Sequence, residues 1–163
     1  MEVVNRIVLT EEEYQWARSI GLMRIAAARA RQGKHRFGWK PTPQQERETI
    51  PMSAAAELFV AKSTGRRWLS SGMVPDDPNA GDVEGGLAVR WTPLEHGSLI
   101  LHEDDADHLT GVLVTGNDRE SLAIRGWINV AEGKQRRWWR TNVRHPAYFV
   151  RELCRQIEAL DKR

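Results

Sequence analysis

Cysteine is almost missing from this chain of 163 residues, because Cys154 is the only one. A single cysteine excludes an internal disulfide framework and a zinc site built from several thiolates, and it is typical of a reducing compartment. No apolar run approaches the ~18 residues of a membrane span. The segment after Met1 also lacks the basic and then apolar layout of a signal peptide. We therefore expect a cytoplasmic protein.

The chain also lacks an excess of either charge, because it has 24 Lys and Arg residues and 22 Asp and Glu residues and its formal net charge is +2. This balance alone does not predict binding to nucleic acid. The patterns G-x-x-x-x-G-K-[S/T], G-x-G-x-x-G, G-x-S-x-G and H-E-x-x-H do not occur. Their absence argues against the common nucleotide-binding, serine-hydrolase and zinc-protease sites. The length predicts a single domain over residues 1–163, because domains cluster at about 100–150 residues.

The first helix is predicted over residues 10–32. Thr10 and Glu13 have the spacing of a capping box, in which the Thr10 hydroxyl accepts from the Glu13 amide and the Glu13 carboxylate reaches back. A polar stretch with three prolines follows over residues 35–51, and this composition predicts a mobile linker. The basic residues between 24 and 40 are expected to guide DNA, with a solvated charged helix face as the alternative.

A second helix is predicted to begin after Ser53, to carry Glu57 and to end at Gly65. Four strand-length apolar runs follow, which are Leu87–Thr92, Ser98–His102, Gly111–Thr115 and Leu122–Ile128. Short connections between them predict antiparallel neighbours in one sheet. Apolar residues at helical spacing predict a final helix over residues 146–160. The expected fold class is α+β, with a small mixed or antiparallel sheet flanked by helices.

Two acids and one arginine in the middle third are candidate residues of a functional site. Glu57 lies on the second predicted helix, Asp82 follows in a glycine-rich turn, and Arg90 lies on the first predicted strand. Because side chains alternate along a strand, Ala88 and Arg90 are expected to point to the same face. The turn over residues 81–86 is short enough to bring Asp82 toward that face.

This arrangement resembles the PD-(D/E)XK nuclease-like superfamily, in particular its small uncharacterised phage and prophage members. The likeness rests on G-D-V-x-G-G-x-x-V-R-W-T, a following apolar strand and a later G-W-I, and it covers residues 53–130. It implies a nuclease-like core over those residues, in the host bacterial cytoplasm if the chain is phage-encoded. It also implies phosphodiester hydrolysis that depends on Mg²⁺, or on Mn²⁺ in its place. Glu57 and Asp82 would bind the metal, and Arg90 would take the place of the family's lysine.

Two departures from the family pattern bear on catalysis. Ala88 stands where the family has an acid, and Arg90 cannot act as a base, although a guanidinium group can clamp a phosphate. Glu84 in the turn is a candidate substitute for the missing acid, which gives a metal set of Glu57, Asp82 and Glu84. The alternative function is a catalytically degenerate module that binds DNA or a protein partner without cleavage.

A basic and aromatic run near residue 140 predicts contacts with nucleic acid. Its members are Lys134, Arg136, Arg137, Trp138 and Arg140. Such residues suit phosphate contacts combined with stacking on bases. The alternative is a hairpin in which the tryptophan is buried and the charges are solvated. The acidic run over residues 103–108 lacks the spacing of a calcium loop, so a solvated loop is expected there.

Overall fold

A computed structural model describes residues 7–30, 42–71, 77, 79–143 and 145–162. The helices are α1 (Glu11–Ala30), α2 (Pro43–Thr64) and the short α3 (Val130–Gly133). The strands are β1 (Leu87–Thr92), β2 (Leu99–Leu101), β3 (Thr110–Thr115), β4 (Ala123–Asn129), β5 (Trp139–Arg140) and β6 (Ala147–Val150). Short 3₁₀ helices cover Leu69–Ser71, Arg136–Trp138 and Ile157–Lys162. The predicted α+β class is confirmed. No helix in the described part of the chain combines the length and the apolar character needed to cross a membrane.

The N-terminus of α1 is capped as predicted, because the Thr10 hydroxyl accepts a hydrogen bond from the Glu13 amide at 3.1 Å. The Glu13 carboxylate does not close the capping box. It instead forms an ion pair with Lys62 of α2 at 2.9 Å and so ties the two helices together. Within the described residues α1 extends to Ala30, and residues 31–32 of the predicted helix lie outside them.

The N-terminus of α2 lies well before the predicted one. The linker predicted over residues 35–51 is therefore wrong from Pro43 onward, and its residues 35–41 lie outside the described part of the chain. Thr42 and Gln45 form a complete capping box that fixes the first turn. Pro43 stands in that first turn, where a residue without an N–H breaks no intrahelical hydrogen bond.

The interior of α2 contains Ser53, which was predicted to be its cap. The Ser53 hydroxyl donates to the carbonyl oxygen four residues earlier at 3.0 Å. Pro51 also lies inside the helix, and Gly21 of α1 packs directly on it. A Cβ atom added to Gly21 would lie 2.6 Å from the Pro51 Cα, so the two backbones meet where neither a side chain nor an N–H intervenes. Gly65 ends α2 as predicted, in the left-handed conformation with φ of 65°.

The strands form two three-stranded sheets, so the prediction of one sheet is wrong. In the first sheet, ordered β1-β3-β4, β1 and β3 run parallel while β3 and β4 run antiparallel. In the second sheet, ordered β2-β6-β5, all neighbours are antiparallel. The short connection after β1 does not make a hairpin, because it carries the chain from the first sheet to the second.

The helix predicted over residues 146–160 is wrong. Residues 147–150 combine aromatic and β-branched side chains, which suit a strand, and they form β6 opposite β2 with Phe149 paired to Ile100. The chain then has no helix until the 3₁₀ helix over Ile157–Lys162. The backbone hydrogen bonds available along β2 thus outweigh the helical spacing of the apolar residues.

The first sheet separates two apolar clusters. One face, which includes Leu87, Val89 and Val112, packs against α1 and α2. The opposite face, which includes Ala88 and Leu113, packs against the second sheet. The domain therefore has a layer of helices and two layers of strands. Within the first sheet β1 is an edge strand, and this edge faces the turn that carries Asp82.

Candidate functional site

Glu57 is a buried carboxylate that protein donors surround on α2. Its Oε1 accepts from Nη1 of Arg24 at 3.1 Å, and its Oε2 accepts from Nη2 of the same residue at 2.9 Å. Oε2 also accepts from the Trp68 indole N–H at 2.8 Å and from the Ser70 hydroxyl at 2.7 Å. Only 7% of the residue is exposed. The charge of Glu57 is therefore compensated and hydrogen-bonded entirely by this chain.

The segment that follows α2 positions two of these donors. Gly65 reverses the chain, and Trp68 then forms an isolated bridge with Val83. The Ser70 amide donates to the Asp82 carbonyl oxygen at 3.3 Å, and its own carbonyl oxygen accepts a short hydrogen bond from Arg24. The backbone thus brings the Glu57 network and the Asp82 turn together.

Asp82 lies at the open edge of β1. Its Oδ2 accepts from the Val89 amide at 2.8 Å, an N–H that has no strand partner on that side. Burial raises the pKa of the Asp82 carboxyl to about 7, and the negative charge of Glu57 acts in the same direction. The Val89 amide and the guanidinium groups of Arg90 and Arg24 oppose this rise in pKa. Asp82 is thus close enough to Glu57 for the negative charge of Glu57 to disfavour ionisation of Asp82.

Arg90 is the third predicted site residue at this edge. Its Nη2 donates to Oδ1 of Asp105 at 2.9 Å, and Oδ2 of Asp105 accepts from the His102 amide at 2.7 Å. The Asp105 side chain is only 4% exposed. The prediction of a solvated acidic loop over residues 103–108 is therefore wrong for Asp105, which is buried because it pairs with Arg90.

Glu84 does not complete a metal site with Glu57 and Asp82. It is exposed, and its Oε2 accepts from the side chain and the amide of Arg67 at 3.0 and 3.3 Å. The Arg67 side chain holds the pKa of the Glu84 carboxyl below its ordinary value. Among the residues that the structure describes, no three His, Cys, Asp or Glu side chains are grouped so as to hold a metal ion.

The donor set does not fit a resident Mg²⁺ or Mn²⁺. Such an ion needs several oxygen ligands with available lone pairs, commonly carboxylates and water. Both oxygens of Glu57 are occupied by Arg24, and one of them also by Trp68 and Ser70. Asp82 contributes one oxygen that no described residue donates to, and a single carboxylate oxygen holds Mg²⁺ weakly.

Ala88 and Arg90 share one face of β1, as the alternation of a strand requires. Ala88 is 4% exposed and belongs to the apolar cluster between the two sheets, together with Leu99, Leu101 and Leu113. The position where the family carries an acid is therefore apolar in this chain. A carboxylate there would lie among leucines.

The predicted nucleic-acid run divides into structural and exposed members. Lys134 donates to the Glu103 carbonyl oxygen at 2.9 Å and to the Asp107 carboxylate at 2.7 Å, so it holds the acidic loop. Trp138 is 8% exposed and belongs to the apolar cluster between the sheets. The remaining three are arginines near the surface, which are Arg136, Arg137 and the half-buried Arg140.

Sequence reasoning missed the residues that neutralise the acids. The basic residues between 24 and 40 predict a DNA-guiding region that includes Arg24, but Arg24 follows Ala17 by seven positions and Gly21 by three, and both of those are buried. This helical spacing places Arg24 on the inner face of α1 and was the available signal. Ser70 and Asp105 are brought to the site by tertiary contacts, and no local sequence pattern predicts their positions there.

The comparisons with known proteins add no relative, because no family model, curated protein or solved structure matches this chain. The relation to the PD-(D/E)XK fold therefore stays a prediction from the sequence pattern.

Proposed function

We propose that this chain is a nuclease-like module that binds nucleic acid and does not cleave it. The observation that carries the proposal is the bidentate pair between Arg24 and Glu57. A guanidinium group stays charged at every physiological pH, so it competes permanently for the oxygens that a metal ion would need. A divalent cation would have to displace Arg24 and leave its charge buried without a partner, which is strongly unfavourable.

The binding half of the proposal is supported by exposed arginines on the side of the second sheet. Arg136 and Arg137 are exposed in the 3₁₀ helix before β5, and Arg151 and Arg155 are exposed after β6. An ion pair of 3.1 Å between Arg137 and Glu152 links the two groups. Clustered arginines are suited to phosphate contacts even when the net charge of the whole chain is small.

A second candidate is metal-dependent phosphodiester hydrolysis by Glu57, Asp82 and Arg90. It is favoured by the grouping of these residues at one edge of β1, where each charge influences the pKa of Asp82. Under this hypothesis, Asp82 and a Glu57 released from its ion pair with Arg24 would hold Mg²⁺, and Arg90 would clamp the phosphate.

The test compares binding with cleavage in the same samples. Labelled single-stranded and duplex DNA and RNA are incubated with the protein in Mg²⁺, in Mn²⁺ and in EDTA. Retention is measured by anisotropy, and cleavage is measured on denaturing gels. We expect retention without new fragments in any of the three conditions. Fragments that require a divalent cation and disappear in Asp82→Asn would overturn the proposal in favour of hydrolysis. A complete lack of retention at low salt would refute both candidates.

A further inference from the structure

A cleft of about 810 Å³ is bounded by the loop over residues 95–97, by β3 and β4, and by the extended segment that follows β6. The acids and arginines around Glu57 and Asp82 do not line it. Leu113 and Val150 form its floor but are almost fully buried, so the accessible lining that can take an aromatic or apolar group is the half-buried Leu153 and the exposed imidazole of His96. Its volume lies in the range of about 300–1,000 Å³ in which proteins bind small organic ligands.

Three arginines line the same cleft. Arg151 and Arg155 are exposed, and neither forms a hydrogen bond or an ion pair with any described residue. Arg125 is held from one side, because its Nε donates to the Thr115 hydroxyl at 2.7 Å. Side chains of this kind present planar N–H donors that fit two oxygens of a phosphate at once.

The segment that carries two of these arginines is held firmly against β4. Cys154 and Trp127 exchange two backbone hydrogen bonds of 2.9 Å each. Gly126 permits this close approach, because a Cβ atom there would lie 2.6 Å from the Cβ of Leu153. Arg151 and Arg155 therefore project from a backbone whose position is fixed, which lowers the entropic cost of ordering a ligand between them.

We propose that this cleft binds one nucleotide unit of single-stranded nucleic acid, with the base against His96 and Leu153 and the flanking phosphates on Arg151 and Arg155. The inference deepens the proposed function and rests on it. In a duplex the bases are stacked and paired, so only an unpaired strand can offer a base to His96 and Leu153 in the cleft. The ion pair of Arg137 with Glu152, a residue that also lines the cleft, extends the phosphate path toward the basic run before β5.

An acidic residue that lines the same cleft provides a second test, in which the substitution should raise the affinity for single strands instead of lowering it. Glu95 lines the cleft, its side chain is 68% exposed, and it lies 3.6 Å from Arg125. A carboxylate there repels a phosphate and competes for the guanidinium group. Glu95→Gln should therefore tighten binding of single strands, and the gain should shrink as salt is raised.

The experiment measures the anisotropy of labelled oligothymidylate and of a duplex of equal length over a range of salt. The full chain, Arg151→Ala/Arg155→Ala, Glu95→Gln and the control Arg47→Ala/Arg67→Ala are compared. The control removes the same charge from exposed positions that do not line the cleft.

We expect the full chain to prefer the single strand. The cleft double variant should lose that preference, and its salt slope should fall by about 1.4, since each lost phosphate contact removes about 0.7. The control should keep both the preference and most of the slope.

Two outcomes would overturn the inference while the proposed function stands. One is a duplex bound as tightly as the single strand by the full chain. The other is equal loss of affinity in the cleft variant and in the control. If the full chain binds neither oligonucleotide at low salt, the proposed function itself fails, and the inference fails with it.

Discussion

Arg24 and Glu57 form a bidentate ion pair across the α1–α2 interface, with Nη1 to Oε1 at 3.1 Å and Nη2 to Oε2 at 2.9 Å. The two side chains are only 19% and 9% exposed, so this charge pair lies largely out of water. A partner within the chain thus satisfies the residue that the family resemblance assigns to a metal ion. The pair is consequently a structural element, and in the proposed function it is also what keeps a metal ion from Glu57.

The first prediction concerns the contribution of this pair to stability. Arg24→Met should lower the free energy of unfolding by about 3–5 kcal/mol, because it leaves the Glu57 carboxylate buried without its counterion. Urea unfolding followed by tryptophan fluorescence measures the change. The double variant Arg24→Met/Glu57→Leu is the control and should recover much of the loss, since it removes both charges. Equal stability of the wild type and Arg24→Met would contradict the role assigned to the pair.

The second prediction concerns divalent cations. Calorimetric titration with Mn²⁺ should give negligible binding for the wild type and for Glu84→Ala. Arg24→Met should gain measurable affinity, because it frees Oε1 of Glu57 and removes one of the three donors to Oε2, beside Asp82. The matched control is Arg24→Met/Asp82→Asn, which should lose that affinity again. If the wild type binds Mn²⁺ tightly and Glu84→Ala abolishes the binding, Glu84 is a metal ligand and the conclusion that the donor set does not fit a metal ion is wrong.

The third prediction concerns pH and follows from the pKa of Asp82, raised from 3.8 to about 7. Between these values the folded state binds more protons than the unfolded state, so stability falls as pH rises through this window. The contribution of Asp82 should change by up to about 1.4 kcal/mol per pH unit and level off above pH 7. Unfolding of the wild type and of Asp82→Asn is compared from pH 5 to pH 8. The Asn variant keeps an acceptor for the Val89 amide and should show a smaller slope. Identical slopes would refute the shift.

The fourth prediction separates the exposed from the structural members of the basic run. Arg136→Ala/Arg137→Ala should weaken binding to nucleic acid and lower the salt slope by about 1.4 to 1.8, since two phosphate contacts are lost. Lys134→Ala removes a charge from the same run but mainly breaks the contacts with the acidic loop. It should lower stability with less effect on the salt slope. The reverse pattern in gel shifts and unfolding curves would show that Lys134 is the phosphate ligand.

Local signals in the sequence predicted several elements correctly. The Thr10 cap, the Gly65 C-cap and the apolar run of β1 are each encoded by a few adjacent residues, and the structure has them where they were expected. The start of α2 was also encoded locally, by Thr42 and Gln45, but the three prolines of the segment were given more weight. Pro43 lies in the first turn of α2, where a proline favours a helix, whereas the linker prediction over residues 35–51 takes each proline as a helix breaker.

The remaining features depend on partners far away in the sequence. The aromatic and β-branched residues over 147–150 are a local signal for a strand, but their pairing with β2 depends on a segment about fifty residues earlier, and no local pattern contains that information. The grouping of Glu57, Asp82 and Arg90 could be predicted from their order and types. The saturation of Glu57 could not, since it requires Arg24 on another helix and Ser70 in a following turn.

The division of the strands between two sheets also sets the order in which the two sheets can form as the chain is synthesised. The first sheet is complete once β4 has emerged, so it can cover the helices while the chain is still growing. β2 emerges before β3, yet Ile100 finds its partner only when Phe149 is released. Until then β2 is an unpaired apolar edge, and such edges invite misassembly with other nascent chains.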